Sequence, residues 1–205
     1  MQVMIVGQKW LGAALLRQCL ADGHQVLAVS APPAEGAEYD RLYATAQQAG
    51  IPVSCHRGRL PPDAVPPGVD VILAAHAHVY IEAPARARAR LGALGYHPSL
   101  LPRHRGRDAV RWAIHMREAI TGGSLYWMDD GADTGPIAAQ DWCHVRPGDT
   151  AADLWRRDLA PMGLRLFQSM LARLDRGEVP ASVQDEDLAT WEPSWTRARL
   201  SAARI

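Results

Sequence analysis

Charge of either sign is not in excess in this chain: 22 Lys and Arg stand against 22 Asp and Glu over 205 residues, for a net charge of zero. Nothing in that balance suggests a nucleic-acid surface, which is normally basic overall or strongly patched. Cysteine is scarce, and Cys19, Cys55 and Cys143 are scattered and odd in number. They form neither a disulfide framework nor a zinc motif, and they read as reduced thiols of a cytoplasmic protein. No apolar run approaches the roughly 20 residues of a membrane span, and Met1-Gln-Val-Met-Ile-Val-Gly7 is too short for a signal peptide. No membrane partner is therefore expected. Internal repeats and low-complexity segments are missing, and so is a dinucleotide fingerprint. Gly7-Gln-Lys-Trp-Leu-Gly12 lacks the G-x-G-x-x-G spacing, and Asp22 is not at a strand end. Gly7 is then turn chemistry, although Gln8, Lys9 and Trp10 stand where such folds hold ligands.

What is present is apolar material, 48% of the residues, enough for one substantial core. The first half alternates strand and helix signals. Val3–Val6, Gln25–Ser30, Val69–Ala75 and Gly92–Tyr96 read as strands, and Trp10–Ala21, Glu38–Gln48 and Ile81–Arg90 as helices. Leu60–Pro67 is a proline-rich loop. This alternation predicts a mostly parallel, doubly wound α/β sheet with helices on both faces. Beyond it, Asp108–Arg117 reads as a helix broken by Gly122-Gly123, with strands at Ser124–Met128 and Pro136–Val145. Thr150 and Asp153 resemble a capping box at the start of a long helix from Ala151 to about Arg176. After Gly177 the chain turns polar and irregular. Trp191-Glu-Pro-Ser-Trp195 is a candidate clamp, over this domain's core or a partner's. The expected layout is one domain over residues 1–176 and a polar tail over 177–205, with no oligomeric state assigned.

The chemistry concentrates in two segments. His97-Pro-Ser-Leu-Leu-Pro-Arg-His-Arg-Gly106 places an imidazole at the end of an apolar strand. Asp129-Asp-Gly-Ala-Asp-Thr-Gly135 places a carboxylate, Asp133, between glycines. Brought together, His97 and Asp133 equip a site for general acid–base work. His76 and His78 follow another strand, but no third ligand accompanies them, so they read as pocket lining and no metal is expected. None of the cysteines sits in a motif that makes it a nucleophile.

The pair of patterns HPSLLPxxRG and W-x-D-x-G-x-D-T-G resembles the signature of formyltransferases and hydrolases that use 10-formyltetrahydrofolate. Arg103-His-Arg-Gly106, Gly122-Gly-Ser-Leu-Tyr-Trp127 and Pro147-Gly-Asp-Thr150 also match, so the similarity covers about residues 1–176. The resemblance implies a single Rossmann-like domain with a folate cleft at the strand ends. His97 corresponds to the family's catalytic histidine and Asp133 to its active-site aspartate. His76, His78, Val79, Tyr80 and Ile81 lie where the pterin-binding loop lies. Asp129, Asp130, Gly131 and Ala132 lie where a second loop closes over the pterin. Trp10, Tyr80 and Trp127 are candidate walls for that ring.

One position departs from the pattern. Transferases of this family carry Asn two residues before the histidine, where this chain has Gly95. That Asn helps hold the formyl oxygen as it becomes an oxyanion, and losing one such donor costs about 10²–10³ in rate. The local sequence is most similar to the hydrolase domain of 10-formyltetrahydrofolate dehydrogenases, where the Asn position is apolar and water accepts the formyl group. The expected activity is transfer of the formyl group of 10-formyltetrahydrofolate to a small acceptor. The alternatives are hydrolysis to formate and tetrahydrofolate, or a catalytically weak folate-binding module. Transfer to initiator tRNA is not expected, since members that do so carry a further nucleic-acid-binding domain.

Overall fold

The computed structural model describes residues 1–197, and positions 198–205 of the polar tail lie outside the described residues. Seven strands form one sheet in the order β3-β2-β1-β4-β5-β6-β7. The strands are β1 (Gln2–Gly7), β2 (Gln25–Ala31), β3 (Val53–Cys55), β4 (Val71–Ala75), β5 (Ala93–His97), β6 (Ile120–Trp127) and β7 (Ile137–His144). The first five run parallel, β6 runs antiparallel to β5, and β7 antiparallel to β6. The strand order reverses beside β1, between β2 and β4, and the crevice beyond that reversal is where open α/β sheets hold ligands.

Alternation along β1 builds both halves of the core. Val3 and Ile5 pack with α1 (Lys9–Ala21), α2 (Arg41–Gln48) and α6 (Ala160–Asp175) around Phe167. Met4 and Val6 join Leu60, Val65, Val79 and Ile81 on the opposite face, where loops and the short α3 (Ala83–Arg86) do the covering. Asp40 caps α2, its carboxylate accepting the Leu42 N–H, so that helix begins later than the pattern from Glu38 implies. The capping box at Thr150 and Asp153 is formed and opens α5 (Ala151–Leu154). Helical structure then continues through a wide π turn, Trp155–Leu159, into α6. Pro161 has no N–H to give to the preceding turn, and the π turn takes up that missing bond.

Two expectations need correction. The helix read over Ile81–Arg90 shrinks to Ala83–Arg86, because Pro84 opens it and Arg86 turns inward to the Ile81 carbonyl. Gly122 and Gly123 do not break a helix; they lie inside β6. A Cβ on Gly122 would overlap the Asp141 carbonyl, and one on Gly123 the Tyr96 hydroxyl. Close approach, not turning, is the reason for both glycines. Among the described residues, no helix is long and apolar enough to cross a membrane.

Candidate active site

His97 closes β5, and the following Pro-bounded loop folds back so that its own His104 meets the ring. The His97 Nε2 lies 2.7 Å from the His104 carbonyl oxygen. A carbonyl only accepts, so Nε2 is the donor in this contact. Nδ1 stands 3.5 Å from Asp133 Oδ2, with both side chains largely shielded from solvent. The structure thus brings together the two residues singled out in sequence.

The carboxylate is held from two sides. The Gly106 N–H donates to Oδ2 at 2.8 Å, and the Tyr126 hydroxyl donates to Oδ1 at 2.7 Å. Burial, reinforced by the Asp133 charge, pushes the Tyr126 phenol well above its ordinary value, so it stays a donor. Asp133 occupies the left-handed region at φ 58°, a strained place for a residue other than glycine. Gly135, two residues on, is required, since a Cβ there would overlap the Trp127 carbonyl. Gly95 stands opposite Tyr126 in the β5–β6 register. A Cβ on it would come within 3.0 Å of the Tyr126 ring and 3.2 Å of Met128 Cγ.

The loops flanking the pair are tied to each other. The Tyr80 hydroxyl donates to the Asp130 carbonyl at 3.0 Å, and Arg86 reaches the Asp130 carboxylate at 2.5 Å. Asp129 is spent locally, accepting from the Gly131 N–H and the Thr134 hydroxyl. Gly131 is pressed against Thr134, and Ala132 is exposed. Val79 and Ile81 point into the core, so any ligand contact they make is through the backbone. Trp10 and Tyr80 are partly exposed, whereas Trp127 is held by the Pro180 carbonyl.

His76 and His78 are half-buried, and three of their ring nitrogens are shielded without a hydrogen-bond partner: Nδ1 of His76 and both of His78. Burial lowers the pKa of both, and Lys9 lowers that of His76 further, so they line the crevice as neutral rings. Among the described residues, no group of three or more His, Cys, Asp or Glu side chains is placed to hold a metal ion. Burial pushes the Cys19 thiol up to about 12 and the Cys143 thiol up to about 11, which leaves both poor nucleophiles. At the start of α1, both oxygens of Asp40 accept the Lys9 N–H at 3.0 Å. A hollow of about 400 Å³ lies elsewhere, against β2 and β3, and none of its walls belongs to the pair.

Of the tail's contacts, sequence reasoning offered only the Trp191–Trp195 clamp, and it missed the support from Gln184, Glu186 and Glu192. The Trp191–Trp195 segment clamps this chain's own α4 (Ala109–His115), with Trp195 edge-on to Trp112 and the Trp112 indole donating to the Pro193 carbonyl. His104 is buried between Glu118 and Glu192, each ring nitrogen 3.0 Å from a carboxylate oxygen at ion-pair distance. Arg105 grips Gln184 and Glu186 and holds the Glu186 carboxyl below its ordinary value. No periodic pattern announces such contacts. Tyr126 was also missed, since a strand tyrosine reads as ordinary core.

The sheet defines an open α/β domain, and His97 stands at the end of β5 facing Asp133. The family follows from comparison: a model described as formyl transferase matches residues 1–163, and the chain belongs to that family. The cytosolic 10-formyltetrahydrofolate dehydrogenase of Xenopus laevis is 33% identical over 202 residues, which is 94% of this chain but 22% of the relative. The chain thus spans about a fifth of the length of such relatives. A methionyl-tRNA formyltransferase of Acidobacterium capsulatum is 41% identical over 117 residues, 56% of this chain and 37% of that protein. The glycinamide ribonucleotide transformylase 1 of Symbiobacterium toebii shares the fold with a TM-score of 0.73 at 22% identity, covering 90% of this chain and 94% of that one. An N-formyltransferase from Helicobacter canadensis, solved with folinic acid and dTDP-3-aminofucose, gives 0.77 at 19% identity over 93% of this chain and 70% of that one.

Proposed function

We propose that this chain takes the formyl group from 10-formyltetrahydrofolate and passes it to a small acceptor, with His97 and Asp133 as the catalytic pair. The observation that carries the reading is the pair itself: Nδ1 faces a carboxylate at 3.5 Å while Nε2 is pinned by a carbonyl. The donor binds with its pterin between the His76–Ile81 and Asp129–Ala132 loops, which the Tyr80 hydroxyl already links. The formyl carbon is an amide-like electrophile. Its reaction needs a deprotonated nucleophile, charge stabilisation on oxygen, and a proton for N10 as the C–N bond breaks. Asp133 takes the proton from the nucleophile, directly or through water. His97, as imidazolium or hydrogen-bond donor, faces the developing oxyanion, and the proton that Asp133 took from the nucleophile passes to the leaving nitrogen as the C–N bond breaks. No covalent enzyme intermediate and no metal are invoked.

The acceptor is not one held by a phosphate at the start of α1, because the Asp40 carboxylate occupies the place an anion would take there. Water meets that condition. The 94% coverage by 10-formyltetrahydrofolate dehydrogenases favours hydrolysis as the second reading. The domain is assigned to residues 1–176, and its working place is the cytoplasm. The test is turnover of 10-formyltetrahydrofolate with and without small amines. Tetrahydrofolate released only with an amine supports transfer, and equal release of formate and tetrahydrofolate without one supports hydrolysis. Tight binding of a folate analogue with no release under either condition overturns the enzymatic reading.

A further inference from the structure

We propose that Gln184, in the tail beyond the matched family region, is a positioning residue for the catalytic pair; the proposal rests on the reading of His97 and Asp133 given above. Its side chain is buried, and all its amide capacity toward the site is used. Nε2 donates to the Asp133 carbonyl at 2.9 Å and to the Gly135 carbonyl at 2.7 Å. Oε1 accepts from Arg105 Nη2 at 2.8 Å and Nε at 3.1 Å. One amide therefore joins the loop that presents the carboxylate to the loop that pins the imidazole. Arg105 lies between His104, whose carbonyl accepts from His97 Nε2, and Gly106, whose N–H donates to Asp133 Oδ2.

The geometry explains why such a brace is needed. Asp133 is held at a positive φ, a conformation that persists only where the surroundings impose it. Gln184 fixes the carbonyl of that residue, and with it the direction in which the carboxylate leaves the backbone. The adjoining tail adds further rivets to the imidazole loop. Thr190 accepts the His104 N–H on its hydroxyl and the Arg105 N–H on its carbonyl, and its own N–H donates to the Pro102 carbonyl. Glu186 also holds Arg105, but its carboxylate makes its hydrogen bonds to Arg105 and not to the Asp133 loop.

The experiment compares Gln184→Met, which keeps the bulk and loses every bond, with Glu186→Gln and with His97→Ala. Turnover of 10-formyltetrahydrofolate is expressed per site that binds a non-reactive folate analogue, so unfolded protein does not count. For Gln184→Met the expected result is a fall in kcat of about tenfold to a hundredfold with analogue affinity kept, as sub-ångström misplacement of reacting groups produces. Glu186→Gln should stay within about twofold of the parent. The Gln184→Met loss should also shrink in an Asp133→Asn background, which a merely structural role would not produce. An unchanged kcat per binding site in Gln184→Met, or an equal loss in Glu186→Gln, overturns the proposal. If His97→Ala keeps the parent rate, the reading of the pair fails instead, and this arm separates the two failures. Should Gln184→Met not fold, Gln184→Asn, which sets the amide back by one methylene, decides on the same criteria.

Discussion

Gly95 is the position where a side chain would tell most. By the resemblance drawn from the sequence, Asn there would add an oxyanion donor, and on that ground alone the rate should rise. The structure predicts a fall. A Cβ at Gly95 meets Tyr126 Cε1 at 3.0 Å and Cζ at 3.1 Å, and Met128 Cγ at 3.2 Å. The ring has no easy retreat, because its hydroxyl is locked to Asp133 Oδ1 at 2.7 Å and the residue is buried. Overpacking of this kind costs about 1–3 kcal/mol, and relief of glycine's chain entropy returns about 0.5–1 kcal/mol. The net cost is up to about 2.5 kcal/mol, or a melting temperature lower by up to about 10 °C in a domain of this size. Any shift of the ring stretches a hydrogen bond to a carboxylate worth about 1.5–3 kcal/mol, so turnover should fall about tenfold or more. Thermal denaturation and tetrahydrofolate release, measured on Gly95→Ala and Gly95→Asn, supply both numbers. In a Tyr126→Phe background the rate effect of Gly95→Ala should largely vanish, since the bond is already gone. A Gly95→Asn protein with an unchanged melting temperature and a faster rate would refute the argument.

Tyr126→Phe alone should lower kcat about tenfold to a hundredfold with folate-analogue affinity retained, by loss of one donor to the carboxylate. Steady-state kinetics beside a binding titration check this, and a parent-like kcat would show that Gly106 suffices. Alkaline pH should destabilise the fold. Burial raises Cys19 from 9.0 to about 12 and holds Tyr96 and Tyr126 above 10.0, so the folded state resists ionisation that the unfolded chain accepts. Stability from these groups is fully present below pH 9, and it falls as pH rises through 9 and 10 toward the folded values. Melting temperatures from pH 8 to 11 test the slope, which Tyr126→Phe should flatten; a slope unchanged by that substitution would count against it.

Much of this site is legible in the chain, for physical reasons that differ by residue. His97 and Asp133 stand in short motifs whose prolines and glycines announce strand ends and tight loops. The parallel half of the sheet shows in short apolar runs bounded by turns. The Gly122-Gly123 pair misleads, because a glycine needed for close strand approach looks the same in sequence as one that ends a helix. The brief α3 is lost among alanines and arginines that fit a longer helix equally well. Gln184, Thr190 and Glu192 carry no local signal. Their roles depend on partners some fifty to ninety positions away, and only the folded path of the tail brings them there.

The most direct measurement is a double-mutant cycle on the pair, with His97→Ala, Asp133→Ala and the combination assayed for 10-formyltetrahydrofolate turnover beside folate-analogue binding. Residues acting as one unit lose their effect together, so each single variant should lack measurable turnover, or retain only as little as the double variant does, with binding and melting temperature largely kept. A single variant with a near-parental rate, or losses that multiply cleanly in the double variant, would contradict the claim that these two groups form the working site.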